Sequence, residues 1–145
     1  MELLTLGWRE WLALPDLGIG AIKAKIDTGA RSSALHVEAQ EVFRRDGDEW
    51  VRFEIAPTYR HAPHVVCEAP VVAVRPVTDS GGHTTERRFI RTVLEVAGQR
   101  WSIDINLTNR THMLFPMLLG RTAMAGRLRV EPARSYTLGS PGKHP

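Results

Sequence analysis

Lys25-Ile26-Asp27-Thr28-Gly29-Ala30 and, about ninety residues later, Pro116-Met117-Leu118-Leu119-Gly120-Arg121 are the stretches that decide how this chain folds. Ile22, Ala24 and Ile26 alternate with Lys23 and Lys25, the period-two pattern of a half-buried strand that runs into Asp27. A hydroxyl and two small residues follow, so a carboxylate is presented with close backbone access. Three apolar residues ending in Gly-Arg can pack beneath such a turn and leave it room.

Outward from these stretches the chain reads as short strands with almost no helix. Val51, Phe53 and Ile55 alternate with Arg52 and Glu54 after an Asp46-Gly47 turn, which predicts a hairpin. Val65 to Val77 is rich in valine but interrupted by Pro70 and Pro76, so an edge or bent strand is expected. Ile90, Thr92, Leu94 and Val96 form one face before Ala97-Gly98, and Trp101, Ile103, Ile105 and Leu107 resume it afterwards. Thr122 to Gly126 suits a short helical turn. Residues 1–138 are expected to form one mainly β domain, a closed barrel of a single lobe, with 139–145 as a flexible tail.

Composition narrows the class. The 145 residues suffice for one domain with a real core and not for two. A hydrophobic fraction of 43% with 24% charged residues is ordinary for a soluble globular protein. No apolar run approaches membrane-spanning length, and the start Met1-Glu2-Leu3-Leu4 lacks the basic and apolar regions of a secretory signal. Cys67 is the only cysteine, so no disulfide framework exists and a reducing cytoplasm is expected. The Asn-x-Thr sequons at Asn106 and Asn109 are then chance matches.

The net charge of +3 hides an asymmetry. Residues 1–73 carry 8 Lys/Arg against 11 Asp/Glu, whereas residues 74–145 carry 11 against 5. Sixteen of the nineteen cations are arginine, suited to bidentate contacts with carboxylates or phosphates. Such a surface reads either as a solvated basic face or as one awaiting an acidic partner, nucleic acid or peptide. Trp8, Trp11, Trp50 and Trp101 can stack on bases, but at strand positions tryptophan is more often core. Basic runs with interleaved exposed aromatics are absent, which argues against nucleic acid.

Asp-Thr-Gly alone also reads as a strand-end turn with Asp27 capping local amides. The apolar strand before it, Ser32-Ser33 after it and the distant Leu-Leu-Gly-Arg segment raise it above that. Together with the strand, Gly98 turn, strand and loop from Phe89 to Met124, they resemble aspartic proteases of the retropepsin type. In that mechanism two carboxylates share one proton and hold a water between them. The ionised member takes a proton from the attacking water while the protonated one polarises the scissile carbonyl. One aspartate cannot do this.

An internal second aspartate suggests itself in Asp79-Ser80-Gly81-Gly82. Only one Leu-Leu-Gly segment is present, however, and 51 residues between the two aspartates leave no room for a second lobe. The Gly-Gly turn fits better as the tip of a mobile flap. The resemblance therefore implies a homodimer with Asp27 from each copy, Thr28 hydrogen-bonded across the two-fold axis and Gly29 admitting the substrate backbone.

More closely, the chain is similar to a bacterial retropepsin-like family known as ATP-dependent zinc proteases (RimB-like, associated with RimK). Some members are linked to ATP-grasp ligases that add glutamates to a small-subunit ribosomal protein. Gly7-Trp8-Arg9-Glu10, Lys23 through His36 and Asn109 through Arg121 carry this likeness. It implies proteolysis of glutamate-rich tails. Viral retropepsins place an acid after Asp-Thr-Gly-Ala, paired with the Gly-Arg arginine; here that position is Arg31, so the pairing with Arg121 is lost. A cation there favours acidic side chains in substrate, with Ala30, Arg31, Arg88, Arg110 and Arg121 as expected binding residues. The alternative is a non-catalytic module on the same fold that binds acidic tails or RNA.

Neither the zinc nor the ATP of the family name finds a motif. His-Glu-x-x-His is absent, and His61-x-x-His64-x-x-Cys67 lacks a fourth ligand. His36 reads as a polar residue near the catalytic turn. No Walker A sequence occurs, and Gly18-Ile19-Gly20 lacks the third glycine of a dinucleotide loop. No cofactor is expected.

Overall fold

The computed structural model describes residues 2–58, 63–109 and 114–139. Ile22, Ala24 and Ile26 are buried on one side of the strand Ile19–Ile26, and Lys25 is exposed on the other, as the alternation predicts. In chain order the strands are β1 (Leu4–Leu6), β2 (Arg9–Leu14), β3 (Ile19–Ile26), β4 (Ser33–His36), β5 (Ala39–Arg45), β6 (Asp48–Ile55) and β7 (Val65–Thr78). They continue as β8 (Thr84–Val96), β9 (Gln99–Thr108), β10 (Met117–Leu119) and, after the short helix α1 (Arg121–Met124), β11 (Leu128–Val130).

Six strands close into a ring in the order β2-β3-β10-β4-β9-β8, with Ala13 of β2 opposite Glu95 of β8 as the closing pair. The architecture is a mainly β single domain around a closed sheet. Closure removes the exposed edges that an open sheet would leave. Leu14, Ile22, Leu35, Ile90, Leu94, Ile105, Met117 and Leu119 have no solvent exposure and fill the interior. Each such side chain contributes roughly 1.5–3 kcal/mol by leaving water.

One insertion matters for the site. β10 pairs in parallel with β3 (Leu119 opposite Ile26) and antiparallel with β4 (Leu118 opposite Ala34). The segment joining β3 to β4 therefore passes over the end of β10, and Asp27 lies on that segment.

β7 is bent, as its prolines predict. Residues up to Pro70 pair with β6, whereas those from Val71 onward pair with β8, with an irregularity between Val71 and Ala73. Each half thus has a ladder on one side, which is where a strand tolerates proline. The hairpins β5–β6 and β8–β9 turn through Asp46-Gly47 and Ala97-Gly98, all four residues at positive φ. That is the two-residue turn whose twist matches the strands.

Two parts of the chain that are distant in sequence are tied together. β1 pairs in parallel with β11. The carboxylate of Glu10, fully buried, accepts hydrogen bonds from the backbone N–H groups of Gly7, Thr137 and Leu138 and from the Thr137 hydroxyl. Arg9 stacks on both Trp8 and Tyr136. Among the tryptophans only Trp101 is core; Trp11 and Trp50 are half-buried, with Tyr136 and Arg45 stacked against them, and Trp8 is exposed beside Arg9. Residues 140–145, most of the expected tail, lie outside the described residues. Among the described residues no helix is long and apolar enough to cross a membrane.

Candidate active site

The turn after β3 is built by its own carboxylate. Asp27 Oδ1 accepts the Gly29 N–H at 2.9 Å, and the Asp27 carbonyl accepts the Ala30 N–H at 3.3 Å. Asp27 N–H donates to the Leu119 carbonyl at 2.9 Å, so the aspartate is anchored to β10. Thr28 and Gly29 face solvent, Asp27 is half-buried, and Ala30 and Ser32 are intermediate.

Gly120 and α1 hold this turn from beneath. The Arg121 N–H donates to the Ala30 carbonyl at 2.8 Å, and Arg121 Nη1 donates to the Gly29 carbonyl at 3.1 Å. The Thr122 hydroxyl donates to the Arg31 carbonyl at 2.7 Å. Arg121 therefore braces the turn through its backbone, in a chain whose Arg31 offers no acid to pair with. Gly120 N–H donates to the buried Ser33 hydroxyl at 2.9 Å, and Ser33 O accepts from Asn106 Nδ2 at 2.8 Å. Asn106 Oδ1 in turn accepts from Arg87 Nη1 at 3.1 Å, which links the underside of the turn to β8.

An added Cβ at Gly120 would lie 2.6 Å from both the carbonyl carbon and oxygen of Ser32 and 2.9 Å from Arg31 O. These are backbone atoms that cannot swing aside. Gly120→Ala is expected to cost about 1–3 kcal/mol, the range for overpacking, and to displace the Asp27 turn. Thermal melting reads the first effect, and loss of any Asp27-dependent activity reads the second. A variant as stable as the parent would show that the turn and α1 can separate freely.

An open cleft of about 880 Å³ lies over the turn. Asp27, Gly29, Ala30, Arg31 and Arg121 line it, and so do Thr78, Asp79 and Ser80 from the β7–β8 hairpin. The hairpin and the turn thus border the same cleft. Asp79 Oδ1 accepts the Gly81 and His83 N–H groups, so this carboxylate shapes the hairpin tip.

Not every expected binding residue lines the cleft. Arg88 does not; its neighbour Arg87 does, together with Lys25, Asn106 and Thr108. Adjacent strand residues point to opposite faces, so one residue of register separates the two arginines. Asn106 was detectable as a polar residue inside the run Ile103 to Leu107, yet its partners were not. Arg110 lies outside the described residues. His36, half-buried on β4, sits 3.5 Å from Glu38.

Of the candidate zinc ligands His61, His64 and Cys67, the last two lie among the described residues. Cys67 is buried, its thiol donates to the Leu17 carbonyl, and burial pushes its pKa up to about 11. Metal binding needs a thiolate, which such burial opposes. His64 is paired with Glu54, and His61 lies outside the described residues. Among the described residues no three His, Cys, Asp or Glu side chains are grouped to hold a metal ion.

Residues 5–141 match the family described as retropepsin-like aspartic endopeptidase RimB. The chain belongs to this RimB-like family. Its curated relatives include probable alpha-L-glutamate ligases from Desulfotalea psychrophila, 43% identical over 139 residues, and from Shewanella pealeana, 40% identical over 138. The matches cover 95% and 94% of this RimB-like chain but only 30% of each relative's length. A crystal structure of a Legionella pneumophila protein of unknown function has the same fold, with a TM-score of 0.78 and 26% identity. That match covers 94% of this chain and 98% of the other.

Proposed function

We propose that this protein is an aspartic endopeptidase, active as a homodimer with one Asp27 from each copy, that cuts glutamate-rich protein tails. The observation that carries this is the cleft: a braced Asp-Thr-Gly turn and the β7–β8 hairpin line it together, with cations beside both. Lys25, Arg31, Arg87 and Arg121 line it against the carboxylates Asp27 and Asp79. An extended acidic peptide is the complementary ligand.

In the working dimer the two Asp27 carboxylates share a proton, since like charges at close range oppose a second ionisation. The ionised one removes a proton from water as that water attacks the scissile carbonyl. The other donates to the carbonyl oxygen as it gains charge. Thr28, exposed beside Asp27, bonds across the two-fold axis, and Gly29 leaves room for the substrate backbone. Family membership supports the chemistry. The ligase name of longer relatives supports the substrate, because a peptidase sharing a chain with a glutamate ligase can trim what the ligase adds.

Purified protein with matched glutamate-rich and neutral peptides tests this reading. The acidic peptides are expected to be cut preferentially, with the preference shrinking as salt shortens screening from about 10 Å at 0.1 M to about 3 Å at 1 M. Arg31→Ala is expected to lower kcat/KM on acidic peptides by about 10- to 100-fold and far less on neutral ones. Preference for apolar peptides, or equal loss on both substrates, would sink the acidic-tail assignment.

A further inference from the structure

A second concavity, of about 530 Å³, adjoins the cleft, and Arg31 and Ser32 line both. Arginines from separate parts of the chain converge on it: Arg31 from the catalytic turn, Arg75 from β7, Arg91 from β8 and Arg127 from beyond α1. Among the described residues its only carboxylate is Asp104, which Arg91 already holds at 2.9 Å. Among the described residues the lining offers the remaining guanidiniums no other carboxylate. Elsewhere the surface arginines Arg45 and Arg52 converge on Glu68, and Arg100 holds Glu95.

Two of these arginines are positioned in advance. The Arg75 guanidinium lies 5.1 Å from the Phe89 ring centroid and that of Arg127 lies 4.8 Å from the Trp101 ring. Trp101 is itself fixed, its Nε1–H donating to the Ala123 carbonyl at 2.9 Å. Stacking occupies the flat face of a guanidinium and leaves its in-plane N–H donors for a carboxylate. It also covers the rings. Phe89 and Trp101 are buried beneath the arginines, so neither offers the stacking face that a nucleic-acid base needs.

We propose that this concavity is a second binding site for acidic peptide. It holds the part of a glutamate-rich chain that leaves the cleft past Arg31, with carboxylates on Arg75 and Arg127. The assignment rests on the peptidase reading of the cleft for its source of ligand. Continuity favours it: because Arg31 borders both hollows, an extended acidic chain passes from one to the other without leaving cationic surface. Longer acidic tails then bind more tightly than short ones, and the gain comes from outside the cleft.

Titration calorimetry of an oligoglutamate peptide tests this, using the full chain with Asp27→Asn so that nothing is cut. The comparison is the same chain also carrying Arg75→Gln and Arg127→Gln, both at exposed positions. Affinity is expected to fall about 10- to 100-fold in the doubly substituted chain. If that chain proves unstable by thermal melting, Arg75→Gln alone leaves the Arg127–Trp101 stack in place and is expected to cost about tenfold.

A second arm uses chains that keep Asp27. Cleavage of a glutamate peptide confined to the cleft should be unchanged by Arg75→Gln with Arg127→Gln, while the advantage of added glutamates disappears. Unchanged affinity and an undiminished length advantage would overturn the second site. Weakened oligoglutamate binding without cleavage of any peptide by the Asp27 chain would uphold the site and sink the peptidase reading. An oligoribonucleotide that displaces oligoglutamate of equal charge from the arginines would overturn the assignment to peptide.

Discussion

Asp27→Asn is expected to lower peptide cleavage by about a thousandfold or more while leaving the fold as stable as the parent, within about 1 kcal/mol. The reason for the first is chemical. An amide can neither take a proton from water nor share one with a facing carboxylate, and the proposed mechanism depends on that shared proton. The reason for the second is geometric. Asn keeps a side-chain oxygen where Asp27 Oδ1 accepts the Gly29 N–H, and the Asp27 N–H still reaches Leu119. The same variant probes assembly. If each active unit draws one Asp27 from each of two copies, adding inactive chains in excess converts working dimers to dead mixed ones. Activity per wild-type chain then falls as the inactive chain is added. Cleavage retained by purified Asp27→Asn would end the aspartic-protease mechanism. Activity per wild-type chain that ignores the added variant would instead end the shared site.

Glu10→Ala is expected to produce the largest loss of stability, about 3–5 kcal/mol, or a fall in Tm of roughly 10–16 °C for a chain of this size. The carboxylate has no solvent exposure, and its acceptors are taken by Gly7, Thr137 and Leu138 backbone N–H groups and the Thr137 hydroxyl. Truncation strands those donors around a void at the place where residues 137–138 join β2. Glu10→Gln should be milder, because one oxygen still accepts, yet its NH₂ group meets donors where an acceptor is wanted. Chemical or thermal denaturation of the three proteins measures both. An alanine variant within about 1 kcal/mol of the parent would mean that the clamp opens in solution.

Local pattern made much of the fold legible in advance. Alternation along Ile22 to Ile26 and Val51 to Ile55 placed strands and told which side is buried, because side-chain direction repeats every two residues. Asp46-Gly47 and Ala97-Gly98 marked hairpins since few residues accept positive φ. Asp27-Thr28-Gly29 and Leu119-Gly120-Arg121 identified the turn and the segment beneath it. In each case the information lies within a few consecutive residues.

What the chain left open was long-range. Insertion of β10 between β3 and β4 joins residues some ninety positions apart, and Glu10 meets Thr137 across 127. No local preference encodes such partners; burial and hydrogen bonding of the whole domain select them. Whether Arg87 or Arg88 lines the cleft turned on one residue of register, which flips a side chain to the opposite face. The gathering of Arg31, Arg75, Arg91 and Arg127 around one hollow was equally invisible. Local pattern and composition alone make this a β protein with an Asp-Thr-Gly turn and a surplus of arginine. Only the closed ring decided where those arginines stand, because a guanidinium's neighbours are set by packing across the sheet and not by its place in the chain.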